Sequence, residues 1–151
     1  MRALVRRFAR RHVKLETLGG NFWSVKSPLE PVRERMEQCD GAVILALERF
    51  RSRSGVYREG SPKEQRTGIQ LFPTVWNHIE GAMAYQLRLP LLILKERPLV
   101  EEGMLDPSIH DWLIVRVDPD DPHEFRRPFL KGVVNEWIQA VSNHRRDRRK
   151  N

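Results

Sequence analysis

Apolar positions recur along the chain with two different periods, and the switches between them mark out its elements. Leu4, Val5, Phe8 and Val13 stand at helical spacing in an arginine-rich opening, which predicts the second half of an amphipathic helix. His12 to Leu18 (HVKLETL) alternates apolar and polar residues and stops at Gly19-Gly20, the pattern of a short strand ending in a turn. Ser27, Pro28 and Glu30 then make a helix start, with a hydroxyl N-cap, a proline at the first helical position and a carboxylate placed to close a capping box. That helix is expected to reach about Gln38 with Leu29, Val32 and Met36 facing inward.

Three runs are apolar without alternation: Gly41 to Leu47 (GAVILAL), Leu89 to Leu94 (LPLLIL) and Trp112 to Val117 (WLIVRV). Such runs read as strands of a parallel sheet covered on both faces. Helical patterns separate or follow them. Thr74 to Arg88 is capped by Thr74 and apolar at Val75, Ile79, Met83 and Leu87, and about Phe125 to Ser142 is apolar at Phe129, Val133, Val134, Trp137, Ile138 and Val141. Glu48 to Pro73 is a long polar connection of the kind that is usually functional or mobile. Strands alternating with helices predict an α/β domain with a parallel sheet and right-handed crossovers, spanning residues 1–144 and followed by a basic tail at 145–151.

Composition narrows the class. With 151 residues, 40% hydrophobic and 31% charged, the chain fits one globular domain, and an apolar run of six residues is far short of the roughly 20 needed to span a membrane. The single Cys39 closes no internal bridge and points to the cytoplasm. The net charge of +7 is unevenly placed: residues 1–14 hold six basic residues and no acid, and residues 145–150 hold five basic residues and one acid. The body between them has a slight acidic excess, which argues against a nucleic-acid partner bound through the body of the domain. His78 and His110 have no metal-ligand spacing to another His or Cys, so no metal site is expected, and neither a Gly-rich phosphate loop nor a G-x-S-x-G elbow is present.

The most informative segment is Pro73 to Pro90, PTVWNHIEGAMAYQLRLP. It resembles the catalytic helix of TIR domains, whose S-x-W-C-x-x-E pattern falls here on Thr74, Trp76, Asn77 and Glu80, with Thr in place of Ser and Asn in place of Cys. The preceding SPLEPVRERMEQCDGAVILAL looks like the helix, Cys-Asp pair and strand that lead into it, and MAYQLRLPLLILKE is similar to the strand that TIR domains share with nucleoside 2-deoxyribosyltransferases. The likeness covers roughly residues 12 to 142 as pattern and order.

This resemblance implies a flavodoxin-like parallel sheet of order 2-1-3-4-5 with helices on both faces, and cleavage of an N-glycosidic bond in NAD or a related nucleotide. The chain opens inside the helix that should follow the first strand, so the first strand is expected to be missing and the chain to be N-terminally short. Glu80 would be the catalytic carboxylate, serving a transition state of oxocarbenium character. Thr74, Trp76 and Asn77 would line the substrate, and Phe22 and Trp23 fall where the BB loop of TIR domains lies, placed to stack on a base. Arg49 and Arg51, just after the first apolar run, are candidates for phosphate contacts. No resident cofactor is implied; NAD or a nucleotide would be the substrate. Partners would be a nucleotide or nucleoside and, in a signalling role, a homo-oligomer or TIR-like assembly. A nucleoside 2-deoxyribosyltransferase and a non-enzymatic assembly module are the alternative functions.

Overall fold

A computed structural model of the chain describes residues 8–11, 13–17, 29–108, 112–121 and 123–150. It is a mixed α/β structure. In chain order the elements are α1 (Glu30–Glu37), β1 (Ala42–Ala46), β2 (Phe50–Ser52), β3 (Gly55–Tyr57), β4 (Gln65–Thr67), β5 (Gln70–Phe72), α2 (Val75–Gln86), β6 (Leu91–Glu96), β7 (Ile114–Val117) and α3 (Pro128–Arg148), with 3-10 turns at Gly103–Leu105 and Glu124–Arg126.

The three apolar runs pair as predicted into a parallel sheet of order β1-β6-β7. Ala42 to Ala46 lie beside Leu91 to Lys95, and Ile93 to Glu96 beside Ile114 to Val117. Because side chains alternate along a strand, the sheet feeds two cores. Leu92, Leu94, Val115 and Val117 pack with Phe8 and with Leu130, Val133, Val134 and Trp137 of α3. Ile44, Ala46 and Ile93 face the other way and pack with Leu71, Leu99 and Leu105. Val32 and Met36 of α1 close a third cluster with Ala84 of α2 and Leu89.

One glycine permits the close packing of α3. A Cβ at Gly41 would stand 2.5 Å from Val141 Cγ2 and 3.1 Å from Trp137, so a side chain there would push α3 off the sheet. Trp137 meets Phe8 edge-on with ring centroids 5.4 Å apart, and its indole N–H donates to the Pro90 carbonyl at 2.9 Å.

Several expectations are corrected. Residues 13–17 form no strand; Glu16 instead pairs with Lys14 at 2.8 Å and Arg35 at 3.2 Å, and Leu15 is exposed. Alternation makes a strand only where a neighbouring ladder receives it, and none of the described residues supplies one. Leu29 is exposed, and Pro31 takes the first-turn position; Ser27 and Pro28 lie outside the described residues, as does most of the opening helix. In α2 the buried positions are Gly81 and Ala84 rather than Val75, because small residues let the helix lie close to the sheet and to the Met104 side chain. Finally, α3 runs six residues past the predicted end at Ser142, taking Arg145 to Arg148 into the helix, and Phe129 is exposed.

The extension has a physical cause. Arg148 donates to the carbonyls of Cys39 and Glu37 at 2.8 and 2.9 Å, satisfying acceptors just past and at the end of α1. Arg145 and Arg148 also stand 3.7 and 3.6 Å from the Asp40 carboxylate. Part of the basic C-terminal run is therefore an anchor between α3 and the α1–β1 turn.

Leu94 is fully buried in the α3 core, whereas Ile69 is 69% exposed. Leu94→Ala is expected to lower stability by about 2–5 kcal/mol and Ile69→Ala to stay within about 0.5 kcal/mol of the parent. Urea unfolding of the two variants checks this; equal losses would contradict the placement of the core.

Candidate functional site

The site is built where β1 hands the chain to α2. Asn77 ties the two together. Its Nδ2 donates to the Leu45 carbonyl at 3.1 Å, and its Oδ1 accepts from the Thr74 backbone N–H at 3.2 Å and the Thr74 hydroxyl at 3.1 Å. Thr74 and Asn77 thus form a cap at the N-terminus of α2 and hold that end against the last residues of β1. Of the four residues in the resemblance pattern, these two are engaged in holding the helix.

The other two share a flank. Trp76 and Glu80 are one turn apart, on the side of α2 that also carries Met83 and Leu87, while His78 points the opposite way toward Gly103. Ala42 donates its N–H to Pro90, which turns Ala42, Ile44 and Ala46 toward β6 and sets the backbone groups of Val43 and Leu45 on the outer edge of β1. Asn77 takes the Leu45 carbonyl on that edge, and among the described residues no further strand pairs there.

Glu80 is only partly accessible, and no described side chain hydrogen-bonds or ion-pairs with its carboxylate. Burial alone pushes its carboxyl above the ordinary value of 4.5. A carboxylate removed from water without a compensating cation or donor is held less tightly in its charged form, the usual condition of an acid kept available for chemistry. Trp76 beside it is 44% exposed, so the indole is free to present part of its surface to a ligand.

The remaining predicted residues are dispersed. Arg49 is exposed and its backbone N–H donates to Phe72; Arg51 is held by Glu48 through two bonds of 2.8 and 2.7 Å. Phe22 and Trp23 lie outside the described residues, as does His110. Among the described residues no three His, Cys, Asp or Glu side chains gather as a metal site would require. Two shallow surface concavities, one lined by Tyr85, Gln86, Arg88, Leu89, Pro90 and Ala140 and the other by Leu91, Leu113 and Trp137 among others, lie at the opposite end of the sheet from the N-terminus of α2.

Two charged residues are buried among the described residues: Glu124, which Arg97 and Arg127 meet at 2.8 and 2.9 Å, and Lys95 in the sheet. Lys95 ends the apolar run of β6 and is wholly buried, on the same sheet face as Ile93. Its Nζ donates to Glu101 at 3.2 Å, and the same carboxylate oxygen accepts from Arg116 at 2.6 and 3.0 Å. The Arg116 bond, more than the Lys95 bond, holds the Glu101 carboxyl below its ordinary range. A lysine closing an otherwise apolar run was the available signal.

With the geometry in view, the chain was compared with protein-family models, with curated proteins and with solved structures. None of the three comparisons finds a match.

A carboxyl whose proton affinity is raised on folding weakens the folded state as it ionises, so its penalty is absent below the unfolded value and is fully present above the folded one. Glu80→Gln is therefore expected to be more stable than the parent at pH 7, with the gap closing as the pH falls to 4.5 and below. Urea unfolding at pH 4 and pH 7 measures it, and a variant less stable than the parent at pH 7 would show that the carboxylate has a stabilising partner.

Proposed function

We propose that this chain is a TIR-like, flavodoxin-like domain that binds a nucleotide or nucleoside beside α2 and cleaves its N-glycosidic bond with Glu80. The observation that carries the reading is the half-buried, unpaired Glu80 carboxylate one turn from a partly exposed tryptophan, on the helix that follows an apolar parallel strand. Open α/β sheets take ligands at the carboxyl ends of their strands, where α2 begins. The sheet order β1-β6-β7 is compatible with the last three strands of a 2-1-3-4-5 arrangement.

In this reading the ionised Glu80 would stabilise positive charge developing at the anomeric carbon as the base departs with the electron pair of the C–N bond, by contact with a ribose hydroxyl or by attack on that carbon, and a water oxygen would then bond to the carbon and lose its proton to solvent. Trp76 would form a wall of the ribose pocket. Thr74 and Asn77 would act indirectly, by fixing the start of the helix that carries Glu80. Arg49, exposed just past β1, is the cation nearest in sequence to the strand end and would meet a phosphate.

Incubation with NAD is expected to release nicotinamide, and Glu80→Gln is expected to reduce the rate by at least about a hundredfold, within the range of loss typical when a group acting in the transition state is removed. Full activity in that variant would remove Glu80 from the mechanism, and base exchange between two nucleosides without loss of NAD would select a transferase.

A second reading, a non-enzymatic assembly module, is favoured by the outer edge of β1, an apolar strand that no described strand covers. Light scattering that rises with nucleotide while NAD stays intact would select it.

A further inference from the structure

The segment between β1 and α2 reads in the sequence as a long polar connection. It is instead a two-stranded antiparallel ribbon. Phe50 pairs with Phe72, Arg51 with Leu71 and Ser52 with Gln70; farther out Gly55 pairs with Thr67, Val56 with Arg66 and Tyr57 with Gln65. The two short ladders share one register, so residues 50–72 form a single hairpin interrupted at Arg53-Ser54 and Gly68-Ile69, with a tip at residues 58–64. The base is fixed in the domain by buried Leu71, whose carbonyl accepts the Val100 N–H at 2.9 Å. Beyond it the strands pair with each other.

The ribbon is strongly basic. Residues 49–72 hold Arg49, Arg51, Arg53, Arg58, Lys63 and Arg66 against Glu59 and Glu64. Arg51 is neutralised by Glu48, but Arg49, Arg53, Arg58, Lys63 and Arg66 are all exposed and none ion-pairs with a described acid. Rings are exposed between them: Phe50 is 62% and Tyr57 42% accessible. The charge that totals so little over the body of the chain is therefore gathered on one projecting element.

We infer that this hairpin is a binding arm for single-stranded nucleic acid. The register sets Arg53 and Tyr57 on one face of the ribbon and Phe50 and Arg66 on the other, so a strand wrapped around the arm would set its phosphates against five cations without acidic partners, and guanidinium groups, four of the five, suit bidentate contact with phosphate oxygens. Exposed aromatic rings interleaved with the cations offer platforms on which unstacked bases lie, a combination that an acidic polypeptide would not use. The terminal arginine run is a weaker candidate, since Arg145 and Arg148 are already occupied by Asp40 and by backbone carbonyls. The arm leaves the domain after β1 and returns into the N-terminus of α2, so a bound strand would pass the end of the sheet where the Glu80 helix starts. Binding itself does not depend on the Glu80 chemistry.

Fluorescence anisotropy of the full chain with a labelled 12-nucleotide single strand, measured against salt concentration, tests the assignment. A slope of log affinity on log salt of about −3.5 is expected for five phosphate contacts. Arg53→Gln/Arg58→Gln/Arg66→Gln should weaken binding by about tenfold or more and make the slope shallower by about 2, since each contact contributes about 0.7. Tyr57→Ala should weaken binding with the slope unchanged; Arg146→Gln/Arg149→Gln should bind as the parent does. If the triple variant fails to fold, Arg58→Gln alone at the tip should still reduce the slope by about 0.7. No binding at low salt, equal or tighter binding of a duplex, equal binding of poly-glutamate, or loss confined to the Arg146 and Arg149 variant would each overturn the inference.

Discussion

Strand β6 is enclosed on every side, and the rest of the molecule is arranged around that enclosure. It is paired along both edges, by β1 and by β7, and Leu92, Ile93, Leu94 and Lys95 are buried on its two faces. An apolar strand with no exposed face obliges helices to cover both sides, and its parallel neighbours oblige every connection to cross from one end of the sheet to the other. That brings the exits of all three strands to one edge. The charge buried on this strand, Lys95, survives there because Glu101 meets it and Arg116 holds Glu101 in place.

The same constraint decides how α2 presents its side chains. Lying close to the sheet requires small residues underneath, and Gly81 and Ala84 fill that role. Once those two face inward, the helical repeat turns Trp76 and Glu80 to the flank that carries Met83 and Leu87 and leaves Val75 in water. Asn77 fixes the start of the helix on the Leu45 carbonyl. The exposure and raised proton affinity of Glu80 thus follow from packing, before any ligand is considered.

The central strands were legible because a run such as AVILA or LLIL has few other places to go; the helix between β1 and β6 made their parallel pairing readable, whereas β6 and β7 pair in parallel across a connection that holds only a 3-10 turn. The hairpin was not legible. Its ladders are three residues long, rich in arginine and serine, and the structure comes from cross-strand register rather than from any local period. The strand read at residues 12 to 18 failed for the converse reason, a local period without a neighbouring ladder at residues 13–17. At the site, the spacing of Trp76 and Glu80 was readable, but sequence could not show that Asn77 is spent on a cap or that Lys95 is buried with its charge paired.

Locating the charge in space also changes its meaning. Arginines at the C-terminus fasten α3 to the α1–β1 turn, while those of the hairpin other than Arg51 ion-pair with no described acid. Both arrangements leave Glu80 without a cation, and that isolation is what makes it the candidate for chemistry. The most direct measurement is a carbon-13 NMR titration of the Glu80 side-chain carboxyl, assigned by its loss in Glu80→Gln. A midpoint above 4.5 is predicted; a midpoint at or below that value would show a carboxylate that is solvated or paired, and would contradict the site.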